Sequence, residues 1–283
     1  MNTKIIQWSP MMVLPALAWG WGRTQPAWVL MWALAFSLYL GCKWLTLWEV
    51  SAEGRAMGKA MYFLAWPGMD PQAFLHKGTR GGGDWALLGL AMRNVFVGWI
   101  CLWFLAPVWL DSAPLLAGWL GMTGMIFMLH FGLFHLLSFL WQRLGYGAEP
   151  LMHRPIEARS VANFWGQRWN LAFQRLTMRY LFRPLQKRFT PQVALGTSFL
   201  ASGLIHELVI TVPAGGGVGG PTAYFLIQGL AVLLERRMRR KRHVIWGHVW
   251  TLCVVLLPAG LLFPAVFVRN IVLPMFTAWG LFS

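Results

Sequence analysis

The stretch 112–142 reads SAPLLAGWLGMTGMIFMLHFGLFHLLSFLWQ and contains no Lys, Arg, Asp or Glu. About 20 apolar residues in a helix cross the ~30 Å hydrocarbon layer of a bilayer, so a run of this length is a membrane helix. Stretches 208–234 and 243–268 are equally free of those four residues. The whole chain follows suit. Of its 283 residues 57% are hydrophobic, 15% aromatic and 12% charged, whereas a soluble domain carries about 25% charged residues. Its 30 Gly, 16 Pro and 19 Trp suit a helix bundle in lipid, where neighbouring helices re-satisfy broken backbone groups and indoles gather at the interface. The fold class expected is all-α, a polytopic transmembrane helix bundle. No cleavable signal is required to explain the N-terminal residues.

Charge-poor windows predict about eight spans, at 8–22, 26–48, 85–110, 112–141, 192–212, 221–235, 243–262 and 264–282. No internal repeat and no linker divides the chain, so 1–283 reads as one integral membrane domain. The connections alternate in basic residues. The loop 23–25 has one and 49–84 has four (Arg55, Lys59, Lys77, Arg80). Residue 111 is an aspartate, 142–191 has nine basic residues, 213–220 has none, and 236–242 has six. Cytoplasmic loops carry the Lys and Arg excess, so the even-numbered loops and both termini are expected on the cytoplasmic side.

The 24 Lys and Arg against 9 Asp and Glu give a net charge of +15, which in a soluble protein would suggest nucleic acid. Here the charges lie between apolar spans. They read as topology determinants and as contacts to lipid headgroups or an anionic substrate, and the tract Arg236–Arg242 as a headgroup anchor. Nucleic acid is not an expected partner. Cys42, Cys101 and Cys253 are scattered without paired spacing, so they read as packing residues and not as a disulfide or zinc framework.

In the long fourth connection, Ser160-Val-Ala-Asn-Phe-Trp-Gly-Gln-Arg-Trp-Asn170 leads into an amphipathic segment, with Ser160 as N-cap and Pro184 as stop. At 100° per residue Trp165, Trp169, Ala172, Phe173, Leu176 and Tyr180 share one face. A second stripe holds Arg168, Arg175 and Arg179, and a third Asn163, Gln167, Asn170 and Gln174. An interfacial helix explains the aromatic and arginine stripes. It does not require four aligned amides, whereas an apolar site that must orient a substrate does.

The following span contains Ser198-Phe-Leu-Ala-Ser-Gly-Leu-Ile-His206-Glu207. Ionisable side chains at membrane depth are costly and mark functional sites. From an entry at residue 192, His206 lies ~21 Å along the helix. Ser198, Ser202 and His206 follow one another at i, i+4 and i+8 on one stripe, and Gly203 would let a second helix or an acyl chain approach. A lone buried histidine is most often satisfied between helices, but the serine row and Glu207 favour chemistry, and neutral imidazole suits general-base work. Glu207 points ~100° away from His206 and is expected to bond neighbouring spans. His130 and His135 are ~140° apart, off the shared face a metal pair would use, and read as core polar residues. His76 and His153 fall in loops. Gly81–Gly83 and Gly215–Gly220 lack the context of a phosphate loop and read as flexible connections.

On these residues the chain resembles the wax-synthase-like branch of the membrane-bound O-acyltransferases. The resemblance rests on Asn163-Phe-Trp-Gly-Gln-Arg-Trp-Asn170 followed by Ser202-Gly-Leu-Ile-His-Glu207, extends to Arg183-Pro184 and to Trp66-Pro-Gly-Met-Asp-Pro71, and covers about 55–240. It implies a bundle with an internal tunnel, acyl-CoA entering from the cytoplasm as co-substrate, and a lipid-soluble alcohol arriving from membrane lipid. No tightly bound cofactor is expected, and the chemistry requires no metal. The catalytic histidine maps onto His206 and a second polar residue onto Asn170. Gln167 stands where the motif often has Arg, and Asn163 where an acidic residue is common.

On this reading His206 takes the proton of a hydroxyl that attacks the thioester. Asn170 donates to the developing oxyanion, a contribution of ~3 kcal/mol per donor. Arg168, Arg175 and Arg179 offer forked donors to the CoA phosphates, while Trp165, Gln167, Trp169, Gln174, Ser198, Ser202 and Glu207 line the substrate side. A long-chain fatty alcohol giving a wax ester leads as acceptor. A sterol, a glycerolipid or a secondary metabolite stands as an alternative, and so does a transporter using the buried His and Glu, or a scaffold without catalysis.

Overall fold

A computed structural model describes residues 3–48, 50, 56–76, 83–238 and 244–282. Among them the regular structure is helical, with no β-strand. The helices that matter below are α1 (Pro10–Gly22), α2 (Ala27–Leu47), α3 (Trp85–Val108), α4 (Pro114–Arg143), α5 (171–186), α6 (Pro191–Ala214), α7 (Gly220–Met238), α8 (Val244–Leu262) and α9 (Ala265–Ala278). Five of them, α2, α3, α4, α6 and α8, are long and apolar enough to cross a membrane, which makes this an integral membrane protein. The other three expected spans are also helices. However, α1 has only 13 residues, α9 falls in the shorter apolar class, and α7 ends in Glu235, Arg236 and Arg237. Of the basic residues expected to set topology, Arg55, Lys77, Arg80 and 239–242 lie outside the described residues, as do Gly81 and Gly82.

Prolines shape these helices in a recurrent way. Turns of the wide, i to i+5 type at Cys101–Leu105, Met178–Phe182, Glu207–Thr211 and Val268–Val272 are each followed two residues later by Pro107, Pro184, Pro213 or Pro274. A proline has no N–H, and its ring presses on the carbonyl of residue i−4. Widening the preceding turn relieves that pressure without ending the helix. The amides of Ala106, Arg183 and Val212, each just before a proline, accordingly donate to the carbonyls of Cys101, Met178 and Glu207. Pro184 was expected to stop its helix; instead the wide turn absorbs it and the helix runs on to residue 186.

The chain divides into two compact units, residues 1–151 with 271–283, and residues 152–270. In the first, small residues let helices touch. At the α3–α4 crossing Gly98 and Gly124 face each other, and a Cβ on Gly124 would stand 2.7 Å from the Gly98 carbonyl oxygen. Polar side chains in these spans bond to backbone, as a hydrocarbon surrounding demands: Asn94 Nδ2 and His135 Nδ1 both donate to the carbonyl of Phe131, at 3.1 and 2.7 Å. Lys43 is fully buried near the end of α2. Its Nζ donates to the carbonyls of Trp66 and Gly68, both at 2.8 Å, and lies 3.2 Å from the Tyr62 ring centroid. One lysine thus ties the Trp66-Pro-Gly-Met-Asp-Pro71 turn to a membrane helix. Asp70 then caps the short helix Pro71–Leu75 by accepting from the amide of Ala73 at 3.0 Å.

The second unit holds α5 to α8 and the segment before them. Gly203 of α6 lies against α7, where a Cβ would come within 2.7 Å of the Thr222 Cα. The close neighbour that Gly203 admits is a helix. Val161, Ala231 and Val232 form a core onto which Trp165, Leu195, Phe199, Trp250 and Val254 pack, so the segment at 161–165 is seated on α6, α7 and α8.

Candidate active site

Helix α6 begins with Thr190 accepting from the amide of Val193 at 3.4 Å and with Pro191 in its first turn. The polar stripe expected along it is real, and its members bond down the helix. Ser198 Oγ donates to the Ala194 carbonyl at 2.8 Å, Ser202 Oγ to the Ser198 carbonyl at 3.0 Å, and His206 Nδ1 lies 2.7 Å from the Ser202 carbonyl oxygen. Each of these three side chains finds a carbonyl four residues back, the local solution open to serine in lipid. For His206 the consequence is chemical. A carbonyl only accepts, so Nδ1 carries the proton, and in the neutral ring Nε2 holds the lone pair of a base. Nε2 has no protein hydrogen-bond partner among the described residues, and the residue is half-buried.

Phe225 of α7 packs on the imidazole, with ring centroids 4.5 Å apart. The Trp165 indole in turn lies 5.6 Å from Phe225. A continuous row of rings therefore joins the two motifs. Trp165 is held by Gln228, which is completely buried in α7: Trp165 Nε1 donates to Gln228 Oε1 at 3.2 Å, and Gln228 Nε2 donates to the Val254 carbonyl at 2.8 Å.

Glu207, next to the histidine, turns the other way. Its Oε2 accepts from Thr211 Oγ1 at 2.7 Å, and Oε1 accepts from the amides of Gly219 and Thr222, both at 3.0 Å. The carboxylate thus serves the first amides of α7, where a helix favours negative charge, in line with its expected role between spans. The glycine-rich connection supplies the geometry, since Gly215, Gly217 and Gly219 have φ of +70°, +79° and +90°, conformations that a side chain would strain.

The segment from Ser160 departs from the expected single amphipathic helix. Ser160 does cap it, accepting from the amide of Asn163 at 2.9 Å. The helix runs 161–168 and breaks: Trp169 is extended and Asn170 is left-handed, with φ 45° and ψ 61°. Asparagine tolerates this conformation because its short side chain bonds the local backbone. Asn170 Oδ1 accepts from the Phe173 amide at 3.4 Å and starts α5, while the Asn170 amide donates to Met152 Sδ at 3.1 Å. The three stripes therefore do not lie along one cylinder. Asn163 and Gln167 remain partners, with Asn163 Nδ2 donating to Gln167 Oε1 at 2.8 Å. Trp169 stacks on Phe164 at 5.6 Å, and Gln174, Arg175 and Arg179 belong to α5, beyond the break.

Arg168 is taken up by the fold. Its Nε donates to Asn163 Oδ1 at 2.8 Å, and Nη1 donates to the carbonyls of His153 and Arg154 at 3.1 and 3.0 Å and pairs with Glu157 at 3.4 Å. Arg179 is exposed, 5.8 Å from the Tyr180 ring centroid. No hydrogen bond or ring contact joins Asn170 to His206 among the described residues. What links their motifs is the Trp165–Phe225–His206 row and the carboxylate of Glu235, whose Oε1 accepts from the amide of Val161 at 2.8 Å and whose Oε2 accepts from that of Ala162 at 3.1 Å. Gln228 and Glu235 were not among the expected site residues. For Gln228 the signal was there, a polar group in an apolar stretch, the criterion that singled out His206; Glu235 stands beside Arg236 and Arg237 at the charged end of α7, where an acidic residue is not conspicuous. Among the described residues no group of three or more His, Cys, Asp or Glu could hold a metal ion.

Comparison with known proteins bears on the same region. Residues 148–227 match the model of the membrane bound O-acyl transferase family. The chain is similar to the probable long-chain-alcohol O-fatty-acyltransferases 8, 2 and 7 of Arabidopsis thaliana. The identities are 32% over 107 residues, 31% over 142 and 26% over 143. These alignments cover 35%, 45% and 45% of this chain and 32%, 41% and 42% of the relatives, so the chain spans less than half the length of the curated relatives it matches. Both motifs lie inside the matched region and in the expected order, so it is the part of the chain from 148 to 227 that is similar to the membrane bound O-acyl transferase family.

Proposed function

We propose that this chain transfers a fatty acyl group from acyl-CoA to the hydroxyl of a long-chain alcohol, forming a wax ester and releasing CoA. The observation that carries the proposal is the His206 imidazole. It sits in a membrane helix, its Nδ1 proton goes to the Ser202 carbonyl, its Nε2 has no protein partner among the described residues, and the ring row ties it to the first motif. The names of the Arabidopsis relatives support the same acceptor class.

In the reaction Nε2 accepts the hydroxyl proton as the alcohol oxygen attacks the thioester carbonyl. The tetrahedral oxyanion takes a hydrogen bond from Asn170 Nδ2, whose partner oxygen is engaged in capping α5. Collapse breaks the C–S bond, and the imidazolium returns its proton to the departing CoA thiolate. Arg175 and Arg179 receive the CoA phosphates, while Arg168 holds the motif segment together. The proposal includes one domain of about eight spans with both termini cytoplasmic, an internal tunnel meeting at His206, membrane lipid as the source of the alcohol, and acyl-CoA as co-substrate with no tightly bound cofactor. The alternation of basic loops supports that topology.

The test is to incubate the purified protein in lipid nanodiscs with labelled long-chain acyl-CoA and, separately, a fatty alcohol, a sterol and a diacylglycerol, and to identify the product by mass. Ester with the fatty alcohol is expected, and His206→Ala should lower kcat by about 10²–10⁴-fold while remaining folded. Undiminished activity in that variant refutes the role of His206, and ester with another alcohol class alone moves the acceptor.

A further inference from the structure

The carboxylate of Glu235 has no place in the chemistry above, yet its placement is demanding. It lies in the last turns of α7, and its oxygens gather three donors from two other segments: the amides of Val161 and Ala162, and Trp250 Nε1 of α8, the last at 2.9 Å. The first N–H groups of a helix have no partner within it. Here Ser160 satisfies that of Asn163, and Glu235 those of Val161 and Ala162.

A charged acceptor shared by such donors is stronger than a neutral one, and it fixes direction as well as distance. Seven residues earlier on the same face of α7, Gln228 holds the Trp165 indole, and Phe225 packs on His206. Phe225 and Glu235 are ~15 Å apart along a single helix. One rigid element therefore touches the imidazole at one point and grips the beginning of the other motif at two.

We propose that Glu235 is a positioning residue for acyl transfer. Through the 161–165 turn it sets Trp165, and the motif that ends in Asn170, relative to the His206 imidazole. This rests on the acyltransferase reading above. A displacement of about 1 Å in such a constellation costs about 10²-fold in rate with little change in substrate binding.

The experiment measures kcat and KM for acyl-CoA and for the alcohol, together with the thermal unfolding midpoint, in wild type, Glu235→Ala and Glu235→Asp. The Asp variant keeps the charge but withdraws the carboxylate by one methylene. Both variants should lower kcat, Glu235→Ala by about 10²-fold, with each KM within about twofold and the midpoint of the Asp variant held. Combining Glu235→Ala with Trp165→Phe should cost little more than the worse single change, because both act through the same indole. Wild-type kcat in folded Glu235→Ala overturns the proposal, as does wild-type kcat in Glu235→Asp where the Ala variant does not fold, or losses that multiply in the double variant. If the wild-type protein forms no ester with any alcohol, the acyltransferase reading itself falls and takes the role of Glu235 with it.

Discussion

At the scale of the residue, Asn170 combines demands that substitutions can separate. Its backbone is left-handed, its Oδ1 starts α5, and its Nδ2 is the donor proposed for the oxyanion. Asn170→Asp keeps the cap but replaces that donor by a carboxylate whose charge opposes the oxyanion, so kcat should fall by at least about 10²–10³-fold with the unfolding midpoint unchanged. Asn170→Gly keeps the backbone conformation and loses the whole side chain, and it should be equally slow. Activity near wild type in the Gly variant would mean that the position matters for its turn alone. Lys43 offers a test without chemistry. Lys43→Met would leave the Gly68 carbonyl without its donor, while the Trp66 carbonyl keeps that of the Tyr39 hydroxyl at 3.2 Å; the orphaned acceptor should cost about 1–3 kcal/mol, readable as a lowered unfolding midpoint in detergent.

At the scale of the element, the α6–α7 pair is the frame of the site, held by a close approach at one level and by a capping carboxylate at another. Gly203→Ala would push a methyl into the Thr222 backbone and should destabilise by about 1–3 kcal/mol, separating Phe225 from His206 and lowering kcat as well. Glu207→Ala removes the acceptor for the Gly219 and Thr222 amides and should cost about 1–3 kcal/mol. Thermal unfolding and turnover of the two variants check both. The break at Trp169–Asn170 was hidden in a sequence whose polar and apolar spacing fits an uninterrupted helix. The hint was chemical: Asn170 followed by Leu-Ala-Phe is as good an N-cap as Ser160. Pro184 misled in the opposite direction, because a wide turn before a proline costs a helix less than ending it.

At the scale of the whole molecule, the five long apolar helices require that the protein stay with the membrane pellet through an alkaline carbonate wash and enter solution only with detergent; release by the wash would contradict the fold class. That much was legible from composition, since the free energy of burying charge-free runs in lipid is additive along the chain and needs no tertiary partner. His206 and Glu207 stood out for a related reason, because a polar group in an apolar stretch is conspicuous wherever the chain takes it. The uses of those groups depend on packing. The Ser202 carbonyl selects the proton-bearing nitrogen of His206, α7 draws the Glu207 carboxylate to its first amides, and Arg168 is consumed in holding the backbone at 153–154. Gln228 and Glu235 acquire importance only when α7 lies beside the 161–165 turn. Hydrogen bonds are short and directional, so which donor meets which acceptor is set by three-dimensional proximity, and one-dimensional spacing carries that information only within a single unbroken helix.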